Sequence, residues 1–245
     1  MPESPSTEMP VAGQLTEEAG DNPGLSALAH GRPLVELGRK VSPAHTALVV
    51  IDVQNDFCAE GGMMDAEGLD LSGVQAMVPR LARLIDIARA AGVLCVFVRN
   101  VYSTKANWYL SNPWLEQAQR RREGSYIDRA VCEADGWNGE FFGPIRPGPD
   151  DPVITKHRFC ALTNTDLDLV LRTHQIQTVV LTGVATNVCV ETTARSAFVR
   201  DYYVVISSDC VATYSAEEQE LSLRVLDRYF GQVVTTDQLS TAWAQ

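Results

Sequence analysis

The chain has 245 residues, 45% of them hydrophobic, which is typical of an α/β protein whose core needs no disulfide or structural metal. Its formal net charge of −11 disfavours binding to nucleic acid or to an anionic membrane, because both depend on clustered Lys and Arg. No run of about 18 apolar residues is present, so no membrane-spanning helix is predicted.

The N-terminal part of the sequence differs in composition from the rest. Residues 1–40 are rich in Pro, Gly, Ser, Thr and Glu and poor in aromatic residues, which predicts a flexible arm. Residues 41–245 are predicted to form a single domain. The first residues lack the basic and apolar regions of a signal peptide, and the six cysteines include no C-x-x-C pair. We therefore expect a cytoplasmic protein with free thiols.

Short β-rich apolar runs alternate with amphipathic helical patterns over most of the remaining chain. The predicted strands are residues 46–51, 93–98, 153–155, 178–182, 203–207 and 232–234. The predicted helices are residues 71–91, 113–122, 166–173, 188–199 and 216–229. This alternation predicts an α/β fold with a doubly wound, mostly parallel six-stranded sheet and helices on both faces. The irregular insertion at about 100–150 is long for a connection, and such connections tend to be functional.

Reactive or polar side chains follow four of the predicted strands. Asp52 comes directly after the first strand, Asn100 after the second and Lys156 after the third. Cys189 follows the fourth strand across a short turn. Because ligands of such sheets bind outside the carboxyl ends of the strands, we expect these groups to share one site.

Two routes can make Cys189 a nucleophile. Its predicted position in the first turn of a helix, with Lys156 nearby, favours a thiolate of lowered pKa. Alternatively, the Asp52 carboxylate accepts the thiol proton. The competing interpretation is that Cys189 is a small apolar residue that packs a helix on the sheet. Cys210, which also follows a predicted strand, is the other candidate nucleophile by position. The histidines show no metal-ligand spacing, so neither a metal nor a cofactor is predicted.

Three sequence blocks at these residues resemble the signature of the isochorismatase-like cysteine hydrolases. The blocks are ALVVIDVQNDFC, ITKHRF and LTGVATNVCVETTARSAFVRDY, and the resemblance covers roughly residues 43–239. It implies that Asp52 is the general base, Lys156 its cationic partner and Cys189 the nucleophile. It also implies a cis peptide between Val184 and Ala185, and an oxyanion hole formed by the backbone N–H groups of Ala185 and Cys189.

Departures within that superfamily narrow the expected chemistry. The presence of Cys189 implies C–N cleavage through a thioester rather than the vinyl ether cleavage of isochorismatases proper. The D-x-H metal motif of nicotinamidases is absent, because that position reads Arg99-Asn100-Val101-Tyr102. The segment GGMMDAEGLDLS, together with Asn100, most resembles the ureidoacrylate amidohydrolase and biuret/triuret hydrolase branch, whose substrates are small carbamoyl or ureido compounds.

The resemblance also suggests how a substrate is held. We expect Asn100 to hydrogen-bond the amide or ureido end of the substrate, and Phe57, Tyr102, Trp108 and Phe159 to wall the pocket. A homodimer or homotetramer is the expected assembly. Two alternatives stay open: an amidase of the same superfamily acting on a lactam or a nicotinamide-like amide, and a non-catalytic binding protein that retains the fold.

Overall fold

The computed structural model describes residues 32–120, 126 and 128–244. Its strands are β1 (Thr46–Ile51), β2 (Leu94–Asn100), β3 (Val153–Lys156), β4 (Thr178–Val184), β5 (Tyr203–Ala212) and β6 (Gln232–Val234). They form one six-stranded sheet in the order β3-β2-β1-β4-β5-β6. Every neighbouring pair of strands runs parallel.

Helices of the described residues fill the connections between strands, and one further helix lies before the first strand and one after the last. They are α1 (Leu37–Lys40), α2 (Asn55–Cys58), α3 (Met63–Ala66), α4 (Ser72–Ala90), α5 (Asn112–Arg120), α6 (Leu167–Thr173), α7 (Glu191–Phe198), α8 (Ala216–Tyr229) and α9 (Thr236–Trp243). A π-helical turn, Thr186–Val190, precedes α7. The last two residues of the helix predicted at 113–122 lie outside the described residues.

Helices cover both faces of the sheet, as the alternating sequence pattern predicts. Along β1, Leu48 and Val50 pack into a core on one face with α4 and α9, while Ala47, Val49 and Ile51 pack into a core on the other face with α6, α7 and α8. All six residues of β1 are buried, which is typical of a central strand covered on both sides. The predicted doubly wound α/β fold is therefore confirmed.

Four strands extend beyond their predicted ends, and two of them, β2 and β3, end at Asn100 and Lys156. The predictions stop β4 at residue 182 and β5 at residue 207, whereas β4 reaches Val184 and β5 reaches Ala212. The polar stretch Ser207–Asp209 suggests a strand end in the sequence, but the pairing resumes after an irregularity, with Gly183 opposite Val211. The extension carries the residues that follow both strands further along the same edge.

The C-terminal helix α9 is not among the predicted helices. Thr235 caps it in a capping box with Gln238, a T-x-x-Q signal that is visible in the sequence. The Trp243 indole N–H donates to the Val41 carbonyl oxygen at 2.7 Å, which ties the end of α9 to the residues before β1.

The described part of the N-terminal segment lies along the sheet. The Leu34 backbone N–H donates to the Tyr203 hydroxyl at 3.0 Å, and the Lys40 ammonium donates to the Gln232 side chain at 2.7 Å. Residues 1–31 of the predicted arm lie outside the described residues. No helix in the described part of the chain is long and apolar enough to span a membrane.

The insertion between β2 and β3 folds back onto Gln54, which lies shortly after β1. The Gln54 amide donates to the carbonyl oxygens of Asn100 (3.0 Å) and Gly139 (2.8 Å), and Gln54 Oε1 accepts from the Asn100 N–H at 2.7 Å. Gln54 also forms an isolated antiparallel bridge with Phe141. One fully buried side chain thus holds the insertion against the carboxyl edge of the sheet.

Candidate active site

Asp52 lies immediately after β1, at the carboxyl edge of the sheet. Its backbone adopts a left-handed φ of +54°, which Asp tolerates better than most residues, and its N–H donates to the Val98 carbonyl oxygen at 2.9 Å. The side chain is completely buried. On the neighbouring strand β4, Gly183 pairs with Ile51 and has φ +105°, and a Cβ there would overlap the Ile51 carbonyl oxygen. Only glycine allows β4 to approach the end of β1 this closely.

Lys156 ends β3 and points into the same buried space. Its ammonium lies 2.7 Å from Asp52 Oδ2, 3.0 Å from the Arg158 carbonyl oxygen and 3.5 Å from Cys189 Sγ. A lysine ammonium has three donors, so each has one partner. Lys156 is therefore fixed in position, and it joins the acid and the thiol that the sequence places after other strands.

Asn100, the last residue of β2, supports Asp52 directly. Its Nδ2 donates to Asp52 Oδ2 at 2.8 Å, and the residue is completely buried. The Asn100 amide therefore faces the Asp52 carboxylate, and Asn100 is not part of the cavity wall. Asp52 Oδ1, in contrast, is buried without a hydrogen-bond partner among the described residues. Oδ1 is the carboxylate oxygen that remains available to receive a proton.

Cys189 lies within the π-helical turn that follows β4. The peptide bond between Val184 and Ala185 is cis, as the resemblance implies. The Ala185 carbonyl oxygen accepts from the N–H groups of Val188 (3.1 Å) and Val190 (3.2 Å), the second of which has the i→i+5 spacing of a π-turn. This wider turn differs from the plain helix predicted at residues 188–199.

Burial sets the protonation of the cysteine. It raises the pKa of the Cys189 thiol to about 12, with the Asp52 carboxylate adding to the rise and Lys156 only partly opposing it. The expectation of a thiolate stabilised by the helix terminus and Lys156 is therefore wrong for the free protein. Its alternative, in which the carboxylate accepts the thiol proton, fits the geometry, because Asp52 and Lys156 lie beside a neutral thiol.

The pKa values of the two partners of the ion pair are also shifted. Burial raises the pKa of Asp52 above its usual range, and the Lys156 charge only partly offsets that rise. Burial alone would lower the pKa of Lys156, but the Asp52 charge and the hydrogen bonds to Asp52 and Cys189 outweigh it and hold that pKa above its usual value. Lys156 is thus a permanent cation, and Asp52 is a carboxylate that binds a proton more readily than an exposed one.

A cavity of about 300 Å³ opens onto Cys189. Its wall includes five residues predicted from the sequence: Phe57, Tyr102, Phe159, Ala185 and Cys189. Trp108, which is also predicted to wall the pocket, lies outside it and is 82% exposed, because the turn-rich stretch before α5 carries it onto the surface. Asp52 and Lys156 lie behind Cys189, completely buried.

Other residues of the cavity wall are not among the predicted ones. They are Met63, Met64, Glu67, Leu69, Tyr126, Val184, Asn187, Val188, Thr213, Tyr214 and Glu218. Thr213 and Tyr214 come directly after β5, so the rule that places Asp52 at the carboxyl edge also indicates these two. Thr213 donates to Asn187 Oδ1 at 2.7 Å, and Asn187 donates to Glu218 at 3.0 Å, which forms a polar rim.

Asp56 fixes the two loops that flank the cavity. Its Oδ1 accepts from the Met63 N–H at 3.0 Å, and its Oδ2 accepts from the Cys132 N–H at 2.6 Å. Burial raises the pKa of this carboxyl group, and the two backbone donors partly counteract the rise. The segment after β1 and the insertion are thereby joined through one side chain.

The remaining cysteines do not compete for the role of nucleophile. All six cysteines are free and buried, and Cys189 is the one that lines the cavity. Cys210, the rival by position, contacts the Thr236 hydroxyl at 3.1 Å instead. Among the described residues, no group of three or more His, Cys, Asp or Glu side chains is arranged to hold a metal ion.

Comparison with known proteins assigns the chain to a family. The isochorismatase domain model matches residues 46–238. A ureidoacrylate amidohydrolase from Variovorax paradoxus is 35% identical over 211 residues, covering 81% of this chain and 81% of that protein. The chain belongs to the isochorismatase family, as its sequence motifs predict.

Solved structures give the same result. A cysteine hydrolase from Pseudomonas syringae pv. phaseolicola has a TM-score of 0.73 and 27% identity, covering 87% of this chain and 98% of that one. The N-carbamoylsarcosine amidase from Thermoplasma acidophilum has a TM-score of 0.61 and 25% identity, covering 79% of this chain and 97% of that one. Both structures resemble this chain over most of its length.

Proposed function

We propose that the chain is a cysteine-dependent amidohydrolase that cleaves a C–N bond of a small carbamoyl or ureido amide through a thioester intermediate. The chain is a hydrolase of C–N bonds; the proposal concerns its catalytic residues, its intermediate and its substrate class. The observation that carries it is the contact of Lys156 with both Asp52 and Cys189 behind a cavity into which the cysteine opens.

The arrangement supports a defined order of proton transfers. Asp52 Oδ1 takes the thiol proton, and the Cys189 sulfur attacks the carbonyl carbon of the substrate. The protonated Asp52 then passes its proton to the leaving nitrogen, and the C–N bond breaks to leave a thioester. Water, deprotonated by Asp52, hydrolyses the thioester and restores the thiol.

Lys156 makes this cycle possible by holding both anions. A neutral thiol and a carboxylate exchange a proton most easily when the charge that moves between them stays close to a fixed cation. Lys156 contacts both groups and cannot reorient without losing a partner. Asn100 is a positioning residue here, because its amide donates to the Asp52 oxygen that does not receive the proton.

The oxyanion of the tetrahedral intermediate is assigned to the backbone N–H groups of Ala185 and Cys189. Both residues lie in the cavity wall, at the start of the helical segment that follows β4, where N–H groups point toward a ligand. One such donor is typically worth about 3 kcal/mol of barrier lowering.

The substrate class rests on two relatives. The Variovorax protein is named for ureidoacrylate and the Thermoplasma protein for N-carbamoylsarcosine, and both names describe a small carbamoylated amine or amino acid. A cavity of about 300 Å³ fits a compound of that size. A homodimer or homotetramer and a cytoplasmic location are part of the same proposal, the latter because all six cysteines are free.

The test is ammonia release from ureidoacrylate, biuret, triuret, N-carbamoyl amino acids, nicotinamide and a lactam. We expect turnover of a ureido compound by the wild type and a fall of at least about 1,000-fold for Cys189→Ala. Cys210→Ala is the matched control, since Cys210 is also buried at a strand end but lies outside the cavity. Substantial activity in Cys189→Ala, with its fold intact by circular dichroism, would contradict the assignment.

A further inference from the structure

Two tyrosines in the cavity wall differ in what their hydroxyl groups contact. The Tyr214 hydroxyl donates to the Phe57 carbonyl oxygen at 2.9 Å. The Tyr102 hydroxyl is buried and has no hydrogen-bond partner among the described residues, although the side chain is only 1% exposed. A buried polar group without a partner costs folding free energy, so such a group in a cavity wall indicates a missing ligand.

Aromatic neighbours fix the Tyr102 ring. Its centroid lies 5.2 Å from that of Trp114 and 5.3 Å from that of Tyr126, and Trp114 in turn lies 4.7 Å from Phe159. Because these rings pack on one another, the hydroxyl cannot swing away to find another partner. Phe159 and Tyr126 also line the cavity, so this cluster forms one side of it.

Tyr102 and Cys189 line the same cavity. Burial raises the pKa of the phenol well above its ordinary value, and the negative charge of Asp52 adds to that rise. The phenol therefore stays neutral and keeps its proton. A neutral phenol is a better hydrogen-bond donor than acceptor, because its ring withdraws electron density from the oxygen.

We propose that the Tyr102 hydroxyl donates a hydrogen bond to a carbonyl or carboxylate oxygen on the part of the substrate that is not cleaved. It thereby selects N-substituted ureas whose substituent carries such an oxygen over ureas with a purely hydrocarbon substituent. This inference rests on the proposed function and narrows its substrate class.

The experiment compares three ureas on the full-length protein: ureidoacrylate, its primary amide, and propenylurea, which lacks the terminal oxygens. Tyr102→Phe removes only the hydroxyl. We expect kcat/KM to fall about 10- to 100-fold for each oxygen-bearing urea that the wild type hydrolyses, mainly through KM, and to change less than about twofold for propenylurea. A fall for ureidoacrylate alone assigns the hydrogen bond of Tyr102 to a carboxylate oxygen. A fall for ureidoacrylate and its primary amide assigns it to a carbonyl-type oxygen.

Stability provides the second readout. Tyr102→Phe removes an unpaired buried hydroxyl, so we expect its Tm to rise by roughly 2–4 °C. Tyr214→Phe is the matched control for stability: it leaves the Phe57 carbonyl oxygen unpaired, so its Tm should fall.

The outcomes separate the two proposals. An equal loss for all three ureas in Tyr102→Phe, or no loss for any, would overturn the role of Tyr102 while leaving the amidohydrolase standing. A wild type that hydrolyses none of the three ureas would overturn the substrate selection by Tyr102. One that also releases no ammonia from biuret, triuret and the N-carbamoyl amino acids would overturn the proposed function.

Discussion

Lys156 Nζ lies 2.7 Å from Asp52 Oδ2, and both side chains are completely buried. A buried pair of this kind contributes little net stability, because desolvation offsets most of the attraction, yet either charge left alone is costly. The pair therefore affects folding and the proposed catalysis in different ways. Stability requires that the charges match, whereas the proposed mechanism requires that both are present.

Lys156→Met tests the cost of an unmatched charge. It leaves the Asp52 carboxylate buried without its cation, and we expect a loss of about 3–5 kcal/mol in the free energy of unfolding, measured by urea titration. Because burial already raises the pKa of Asp52 and Lys156 is what lowers it, the variant's carboxyl pKa rises further. A carboxyl group whose pKa is raised in the folded state makes the protein less stable as the pH rises from the unfolded-state pKa toward the folded-state one. The loss should therefore be larger at pH 8 than at pH 5.

The double variant Asp52→Asn, Lys156→Met separates stability from activity. It removes both charges, so its destabilisation should be smaller than the sum of the two single changes by at least about 1 kcal/mol. Its activity should remain as low as that of either single variant. Additive losses of stability would mean that the two side chains do not form the buried pair described here.

The raised pKa of Cys189 predicts how the free protein reacts with iodoacetamide. Burial and Asp52 raise that pKa to about 12, and only the thiolate is alkylated. Below the pKa the thiolate fraction grows tenfold per pH unit, so the alkylation rate should rise steadily from pH 7 to pH 10. Mass spectrometry of the Cys189 peptide follows the rate, and a plateau below pH 9 would contradict the prediction.

Variants of Asp52 and Lys156 should shift the pKa of Cys189, and with it the alkylation rate, in opposite directions. Asp52→Asn removes a negative charge that raises the pKa of Cys189, so alkylation at pH 8 should be faster than in the wild type even though turnover is lost. Lys156→Met removes the positive charge that lowers it, so alkylation at the same pH should be slower. Shifts of the same sign in both variants would show that the response reflects altered access rather than charge.

The sequence predicts the fold well because its strands are continuous apolar runs. The strands β1 and β6 match their predicted bounds, and the buried face of α4 follows the predicted helical period. The sequence does not predict features that are decided by contacts between distant segments. For example, β5 continues past Ser207 because its pairing with β4 resumes at Gly183, and no local sequence pattern indicates this. The helix α9 is missed although its capping box of Thr235 and Gln238 is readable in the sequence.

In the candidate site, too, some features are predictable from the sequence and others are not. Residues that directly follow strands are predictable, because parallel strands bring their carboxyl ends to one edge, and the structure places Asp52, Lys156 and Cys189 in contact there. The path of the insertion is not predictable, so Trp108 is expected in a cavity from which it points away. The pKa of Cys189 depends on complete burial behind the cavity, which a position in the sequence does not reveal.

Asp56 provides a test of how the cavity loops are held. Asp56→Ala deletes the acceptors for the Met63 and Cys132 N–H groups, both buried, and we expect a loss of about 2–4 kcal/mol in the free energy of unfolding and a raised KM. Asp56→Asn keeps one carbonyl oxygen as acceptor, so its loss should be about half as large. A loss in Asp56→Ala with none in Asp56→Asn, which has nearly the same volume as the wild type, would mean that volume rather than the two hydrogen bonds decides the stability of this segment.

Gly183 and Gly92 form a matched pair for the close approach of β4 to β1. Both have positive φ, +105° and +78°, but a Cβ at Gly92 meets nothing within 4 Å, whereas one at Gly183 would overlap the Ile51 carbonyl oxygen. Gly92→Ala should therefore lose only the conformational cost, about 1–2 kcal/mol, and keep its activity. Gly183→Ala should lose at least about 4 kcal/mol, because β1 or β4 must shift. That shift displaces Asp52, the residue after Ile51, so kcat should fall even in Gly183→Ala protein that remains folded at low temperature. A Gly183→Ala variant as stable and active as Gly92→Ala would show that the strands have room to separate without moving the Asp52 carboxylate.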